Sequence, residues 1–204
     1  MFQFDVLFSL LGGYLLGSIP FGLLLAHLFG QGDIRQIGSG NIGATNVLRT
    51  GRRDLAFATL FLDAAKAGVA ALIFTQIFNP IAGLVAGTAA LIGHCFPIWL
   101  RFKGGKGVAT FFGVLLATAW PVGLSAAIVW LVCAALTRLS SLSALVAAIL
   151  TPVMAYLSGY TSVALMSIVL AIVIFIRHKD NIGRILDGTE SRIGSKKTET
   201  EPES

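Results

Sequence analysis

Long apolar stretches separated by short polar segments constrain this chain more than any other feature of its sequence. A helix needs about 20 residues to cross the hydrocarbon core of a bilayer, and most of the stretches reach or approach that length. With 55% hydrophobic and 12% charged residues, the chain has too little polar surface to fold as a water-soluble globule. The sequence predicts an all-α, polytopic integral membrane helix bundle, with apolar stretches at 6–29, 55–78, 81–98, 108–136, 142–157 and 162–176.

The stretch 108–136 is too long for one upright crossing, because at ~1.5 Å per residue it would extend ~43 Å against a ~30 Å core. Trp120 and Pro121 lie near its middle, where proline removes a backbone donor and disfavours a helical residue before it. We therefore expect a hairpin of two short helices, and about seven membrane helices or half-helices in total. The first stretch, 6–29, has no basic residue before it and is expected to remain as one helix rather than to be cleaved as a signal.

Positive charge predicts the orientation of the bundle. All of the 15 Lys and Arg residues except Lys66 lie in the gaps between apolar stretches or in the C-terminal segment. If residues 108–136 cross twice, all of these gaps fall on one side, which the positive-inside rule assigns to the cytoplasm. The N-terminus would then lie outside and the C-terminus inside, with 1–194 as a single membrane domain and 195–204 as a disordered polar tail.

The first polar segment on this side, 38–49, is rich in glycine, amide and hydroxyl groups and ends in Arg49. Glycines allow backbone N–H groups to cup an anion, and a guanidinium matches the geometry of phosphate. The dinucleotide pattern G-x-G-x-x-G/A also occurs here, but a membrane helix rather than a strand precedes it. A phosphate cradle and a glycine-rich turn with membrane-anchoring arginines both remain open.

The second segment places Lys103 and Lys106 on either side of Gly104 and Gly105, where the next helix begins. The partial positive charge of a helix N-terminus would add to that of the lysines and favour an anion. Lysines that extend to lipid headgroups are the alternative, although they leave the glycines unexplained.

The third segment, 177–192, contains His178 and Asn181 among basic residues. His178 could carry a proton and Asn181 could donate a hydrogen bond, whereas a basic cluster after a final helix is also typical of an orientation signal.

Two further sets of polar residues have open roles. Asp63 and Lys66 share one helical face and can form an ion pair that is either structural or catalytic. Ser141, close to Arg138, could line the same pocket or simply allow close helix packing. Histidines and acidic residues do not cluster at metal-ligand spacing, and we expect neither a metal nor a cofactor.

Taken in order, these segments resemble the bacterial acyl-phosphate:glycerol-3-phosphate acyltransferase family, called PlsY. The resemblance rests on 38–49, on 93–110 with its FKGGKGVAT string, and on 177–192. It implies a seven-helix enzyme of the bacterial inner membrane whose site faces the cytoplasm. Such an enzyme transfers a fatty acyl group from acyl phosphate to the 1-hydroxyl of glycerol 3-phosphate and produces lysophosphatidic acid and phosphate, the first step of phospholipid synthesis.

The residues fit this reaction, since an acyl phosphate is already activated and needs no covalent nucleophile. Neither a G-x-S-x-G nor an H-x4-D signature occurs in the sequence. A substrate phosphate could accept the hydroxyl proton, although the base is left open. The resemblance assigns catalytic roles to His178, Asn181 and Lys106, and phosphate binding to Ser39, Asn41, Thr45, Asn46 and Arg49, with Lys103 and Ser141 supporting.

The expected partners are the two small-molecule substrates and the lipid bilayer, with no nucleic acid, and the enzyme is expected to be a monomer. A membrane transporter of an organic phosphate is the alternative function. Transporters need access from both faces, and the short connections predicted on the outer side argue against this alternative.

Overall fold

The computed structural model describes residues 2–194, and every regular element in that range is helical. Leucine and alanine dominate these apolar segments, and both favour helices. Short 3₁₀ turns lie at Ile34–Gln36, Leu48–Thr50 and Ile98–Leu100. The helices are α1 (Phe2–Gly17), α2 (Phe21–Leu28), α3 (Ala44–Val47), α4 (Arg53–Ile77), α5 (Pro80–Cys95), α6 (Val108–Thr118), α7 (Trp120–Thr137), α8 (Ser140–Leu157), α9 (Thr161–Arg177) and α10 (Lys179–Leu186).

Several segments are long and apolar enough to cross a bilayer, and one of them, Gln3–Leu28, contains both α1 and α2. Within the described residues, five segments meet that requirement by themselves, and α9 with α10 forms a sixth that is bent by 64°. The shorter α6 is an apolar half-helix of 11 residues. The predicted all-α membrane bundle is confirmed. The predicted tail, 195–204, lies outside the described residues.

The first apolar stretch is one candidate membrane span, Gln3–Leu28, as expected, but it is built from two helices rather than one. α1 ends at Gly17 and α2 begins at Phe21, with Ser18, Ile19 and Pro20 between them. Proline lacks a backbone donor and disfavours helical geometry in the residue before it, so the chain breaks there. At the break the Ile19 carbonyl accepts from the Phe21 N–H at 3.1 Å and from Lys66 Nζ on α4 at 2.7 Å.

The predicted break in the stretch 108–136 is confirmed, with Ala119 alone separating α6 from α7. Both ends of this hairpin reach the same C-terminal segment. Lys106 Nζ donates to Asn181 Oδ1, and the backbone N–H of Ile193 donates to the Arg138 carbonyl at 2.7 Å. The chain therefore enters the bundle at α6 and returns along α7, as a double passage rather than a single crossing.

The two arms of this hairpin are unequal, which creates a recess. α6 has 11 residues and α7 has 18, so at ~1.5 Å per residue α6 is about 10 Å shorter. α5, with 16 residues, is likewise shorter than the 25-residue α4 on which it packs. In the segment that joins α5 to α6, the turn before α6 is buried at this end of the bundle, at Gly104, Gly105 and Gly107.

Candidate active site

The recess contains a hydrogen-bonded network that joins three parts of the chain. Lys106, just before α6, donates from Nζ to Asn181 Oδ1 at 2.5 Å. Asn181 on α10 donates from Nδ2 to Glu190 Oε1 at 2.6 Å, and Ser141 at the start of α8 donates from Oγ to the same oxygen at 2.7 Å. The other oxygen, Oε2, accepts from Arg184 Nε at 2.7 Å. The structure thus brings together three residues that the sequence analysis had assigned to the site, Lys106, Asn181 and Ser141.

Glu190 is the centre of this network and was not singled out in the sequence analysis. Its side chain is only 7% exposed. Burial alone would raise the pKa of the carboxyl group, but hydrogen bonds from Ser141, Asn181 and Arg184 outweigh burial and lower the pKa. The sequence did contain a signal for the chain reversal that places Glu190, because Gly188 follows the amphipathic α10. Its φ of +70° turns the chain back toward Asn181.

His178 lies at the junction of α9 and α10 and is 2% exposed. Its Nδ1 is 2.8 Å from the carbonyl oxygen of Ile174. A carbonyl oxygen can only accept, so Nδ1 carries the proton and Nε2 carries the lone pair in the neutral ring. This tautomer leaves Nε2 able to accept a hydrogen bond from a substrate hydroxyl.

Arg177 holds the glycine turn in front of α6. Its Nε donates to the Gly105 carbonyl at 2.9 Å, and its second guanidinium nitrogen donates to the Gly104 carbonyl at 2.8 Å. The guanidinium also lies 5.3 Å from the centre of the Phe96 ring. A planar fork that satisfies two carbonyls fixes the orientation of the turn, and the sequence analysis did not predict this role for Arg177.

The first polar segment folds around Asn46, which is 1% exposed. Asn46 Oδ1 accepts from Ser39 N at 3.3 Å, from Ser39 Oγ at 3.4 Å and from Arg49 at 3.2 Å. Asn46 Nδ2 donates to the Ile34 carbonyl at 2.6 Å. Asn46 therefore organises the loop, whereas the exposed Ser39 and Arg49 are the groups that can reach a ligand.

Asn41 and Thr45 have more local positions in this segment. Asn41 Oδ1 accepts from the Gly43 N–H at 3.3 Å, which stabilises the turn before α3. Thr45 is exposed in the first turn of α3. Both residues border the loop that carries Ser39.

Positive charges from all three segments converge on Lys106. Burial lowers the pKa of Lys106 to about 8, and the charges of Arg184, Arg177 and Arg49 contribute to the shift against the attraction of Glu190. Arg49 therefore lies within electrostatic reach of Lys106. Several cations around one partly buried lysine, with a single carboxylate among them, form a site that favours an anion.

Lys103 lies apart from this network although it is only three residues from Lys106. Its side chain is exposed, and no hydrogen bond joins it to Asn181 or Glu190 within the described residues. It lines a separate cavity of about 390 Å³ with Arg35, Gly40, Trp99, Leu100 and Arg101.

The start of α6 has donors without an intramolecular cap. The residue before it, Gly107, has a φ of +81°, and no side chain caps the helix. In its first turn the hydroxyl of Thr110 is buried and has no hydrogen-bond partner within the described residues. Uncapped N–H groups next to Lys106 are well suited to an anion.

An apolar groove of about 280 Å³ begins beside the polar network. One wall includes Leu142, the neighbour of Ser141, and another includes Ile182, the neighbour of Asn181. A ligand with a charged head and a hydrocarbon chain could therefore place the two parts in adjoining regions. The groove is lined by Leu142, Leu145, Val146, Ile149, Phe175, Ile182, Ile185 and Leu186.

The fold and the network together define an integral membrane protein in which cationic and amide side chains gather at one end of a helical bundle. A family model described as glycerol-3-phosphate acyltransferase matches residues 7–188. The chain belongs to the glycerol-3-phosphate acyltransferase family and is an enzyme. The resemblance inferred from the three segments is confirmed.

Relatives and solved structures agree with this assignment. A glycerol-3-phosphate acyltransferase of Maricaulis maris is 59% identical over 189 residues, which cover 93% of this chain and 88% of the relative. That of Rhodospirillum rubrum is 58% identical, with 92% and 90% covered. The crystal structure of PlsY (YgiH) in its glycerol 3-phosphate form has a TM-score of 0.86 at 40% identity and covers 93% of this chain and 96% of that one. A lysophosphatidic acid form of PlsY has a TM-score of 0.84.

Proposed function

We propose that this enzyme transfers a fatty acyl group from acyl phosphate to the 1-hydroxyl of glycerol 3-phosphate and releases lysophosphatidic acid and phosphate. The observation that carries the proposal is the cationic, hydrogen-bonded network around Lys106 with an apolar groove directly beside it. PlsY structures in a glycerol 3-phosphate form and a lysophosphatidic acid form support this substrate and this product.

The site offers two places for phosphate. Lys106 and the uncapped start of α6 would bind one phosphate group. Arg49 and Ser39, held by Asn46, would bind the other. Asn41 and Thr45 border the loop that carries Ser39. Ser141 lies behind Asn181, and Lys103 lines the neighbouring cavity. Together these residues would keep two like-charged substrates close together.

The reaction needs alignment and electrostatic stabilisation more than it needs a protein nucleophile. The hydroxyl oxygen of glycerol 3-phosphate attacks the acyl carbonyl, and a new ester C–O bond forms. The bond between the acyl carbon and the phosphate oxygen breaks, and its electron pair leaves with phosphate. The hydroxyl proton passes to an oxygen of that phosphate, so no protein base is consumed. Lys106 stabilises the charge that develops on the leaving phosphate.

His178 and Asn181 would position the attacking hydroxyl. The lone pair on His178 Nε2 can accept its hydrogen bond, while Asn181 is held by Lys106 and Glu190. Substrate placed between these groups would have its hydroxyl next to the acyl carbonyl. We also propose that the enzyme is a monomer, because Lys106, Asn181, Ser141 and Glu190 of one chain already form a connected network.

Purified protein with palmitoyl phosphate and glycerol 3-phosphate tests the function directly. We expect stoichiometric formation of lysophosphatidic acid and inorganic phosphate, and no product when palmitoyl-CoA or palmitoyl-acyl carrier protein replaces the donor. Transfer from those thioesters without acyl phosphate would contradict the proposed donor. Uptake of glycerol 3-phosphate into sealed vesicles without turnover would instead indicate transport.

We also propose that the site faces the cytoplasm from the bacterial inner membrane. The basic segments gather at the end of the bundle that carries the site, in agreement with the positive-inside rule. Ser158, in the turn between α8 and α9, lies at the other end of α8 from this site. In intact cells, an impermeant maleimide should label Ser158→Cys and not Asp187→Cys. The reverse pattern would overturn the proposed orientation.

A further inference from the structure

A buried charged cluster lies beneath the Gly104–Gly105 turn and takes no part in the reaction steps proposed above. It consists of Asp63 and Lys66 on α4 and His94 near the end of α5, with side chains between 3% and 5% exposed. Lys66 Nζ lies 2.7 Å from Asp63 Oδ1 and 3.0 Å from His94 Nδ1. Charged groups within a membrane bundle are costly and are typically retained for function.

The cluster is also connected to the break between α1 and α2. Lys66 Nζ donates to the Ile19 carbonyl at 2.7 Å, and the same carbonyl, at the interruption of the helix, also accepts from the Phe21 N–H at 3.1 Å. The same ammonium lies 5.7 Å from the centre of the Phe21 ring. With Asp63, His94 and Ile19 as acceptors, all three donors of the ammonium have partners.

These contacts determine the state and orientation of the His94 ring. His94 Nδ1 lies 3.0 Å from Lys66 Nζ and 3.5 Å from Asp63 Oδ1. Because an ammonium group can only donate, the shorter contact is one in which Nδ1 accepts and Nε2 carries the ring proton. The Nε2 edge faces Gly105, where an added Cβ would lie only 2.1 Å from Nε2. The backbone N–H of Gly105 donates to the His94 carbonyl at 3.0 Å. The turn therefore packs directly against a ring that Lys66 holds in place.

The opposite side of the turn is held by Arg177, which donates to the carbonyls of Gly104 and Gly105. The turn is thus confined between His94 and Arg177. Lys106 follows Gly105, and His178 follows Arg177 in sequence. A shift of the His94 ring would move the turn and, with it, the group that contacts Asn181.

We propose that Lys66, held by Asp63, is a positioning residue for acyl transfer. By orienting His94, it keeps the Gly104–Gly105 turn where Lys106 can reach Asn181 and the substrate phosphate. This inference rests on the proposed function of Lys106.

The first experiment compares Lys66→Met with Thr59→Val in steady-state kinetics. Thr59 is a buried polar residue of the same helix, and among the described residues 2–194 its hydroxyl bonds only to the Leu55 carbonyl, at 2.8 Å. We expect Lys66→Met to lower kcat about 10- to 100-fold, as for a catalytic group that is displaced by ~1 Å. The KM for palmitoyl phosphate should change little, because the groove proposed for its chain is lined by residues of α8, α9 and α10 and not by the Gly104–Gly105 turn. Thr59→Val should retain parental kcat. Lys66→Met with parental kcat would overturn the proposal.

The second experiment is a double-mutant cycle between His94 and Gly105. It tests the coupling between the His94 ring and the Gly104–Gly105 turn even if Lys66→Met does not fold. Gly105→Ala should be almost inactive because its methyl group collides with the imidazole ring. His94→Ala removes that ring, so the double variant His94→Ala/Gly105→Ala should be more active than Gly105→Ala alone. Parental activity in Gly105→Ala, or independent effects of the two changes, would overturn the proposal. If the unmodified protein showed no acyl-transfer activity, that result would instead refute the proposed function.

Discussion

Lys106 Nζ lies 2.5 Å from Asn181 Oδ1, although 75 positions separate the two residues in sequence. The contact joins the start of α6 to α10 and positions both groups beside Glu190. A cation that is anchored by a neutral amide keeps its charge available, because it has no carboxylate as its direct partner in this contact. Such an arrangement suits the binding of a phosphate more than it suits a closed ion pair.

Replacing Lys106 by methionine should lower kcat/KM for acyl transfer about 100-fold or more, since a charge-assisted contact to a developing anion is lost. Lys103→Met is the matched control, because this lysine belongs to the same turn but is exposed and lies outside the network. We expect a much smaller effect there, and unchanged thermal unfolding for both variants. Near-parental activity in Lys106→Met would contradict the role of Lys106.

The pH dependence of catalysis should show an alkaline limb that belongs to Lys106. Its pKa is lowered to about 8 by burial and neighbouring cations, and a lysine is charged below its pKa. We therefore expect kcat/KM for glycerol 3-phosphate to fall about tenfold per unit above pH 8. Bound phosphate favours the charged lysine, so the corresponding limb in kcat should lie at higher pH. A flat profile from pH 7 to 10 would contradict this prediction.

Replacing Glu190 by glutamine should shift that alkaline limb to lower pH. The Glu190 carboxylate raises the pKa of Lys106 against the effect of burial, and the substitution removes this attraction. It also removes the ion pair with Arg184, so kcat should fall as Asn181 and Ser141 lose their anchor. Asp187→Asn is the matched control, because Asp187 is an exposed carboxylate of the same segment. An alkaline limb that stays at the parental pH in Glu190→Gln would contradict the coupling.

Gly113 determines how closely α6 approaches α4. A Cβ at this position would lie 2.0 Å from the Ala64 carbonyl oxygen, so Gly113→Ala forces the helices apart and should destabilise the protein by about 1–3 kcal/mol or more. Gly183→Ala is the matched control within α10, where nothing lies within 4 Å. It should stabilise the protein by about 0.5–1 kcal/mol, as alanine does in a helix. Thermal unfolding in detergent measures the stability change of both variants. Equal melting temperatures for Gly113→Ala and Gly183→Ala would contradict the prediction.

Much of the site could be inferred from local patterns, but its connections could not. Lys106, His178 and Asn181 belong to short segments whose residue types already favour phosphate and proton chemistry. Glu190 was missed because its importance depends on a chain reversal after α10 that brings it to Asn181 and Ser141. The separation of Lys103 from Lys106 was also not predictable, since it depends on how the twelve-residue connection 96–107 folds between α5 and α6.

The membrane class, a break within 108–136 and the positions of the polar segments followed from the sequence by itself, although the sequence placed the break at Trp120 and Pro121 and the structure places it at Ala119. The physical reason is that the length of an apolar run and the effect of proline act over a few neighbouring residues. Only the tertiary structure decided that α5 and α6 are short enough to form a recess, that Asn46 organises the first loop, and that Lys66 reaches His94. Those outcomes depend on the packing of helices distant in sequence, because a buried polar group takes whichever partner the assembled bundle brings within hydrogen-bond distance.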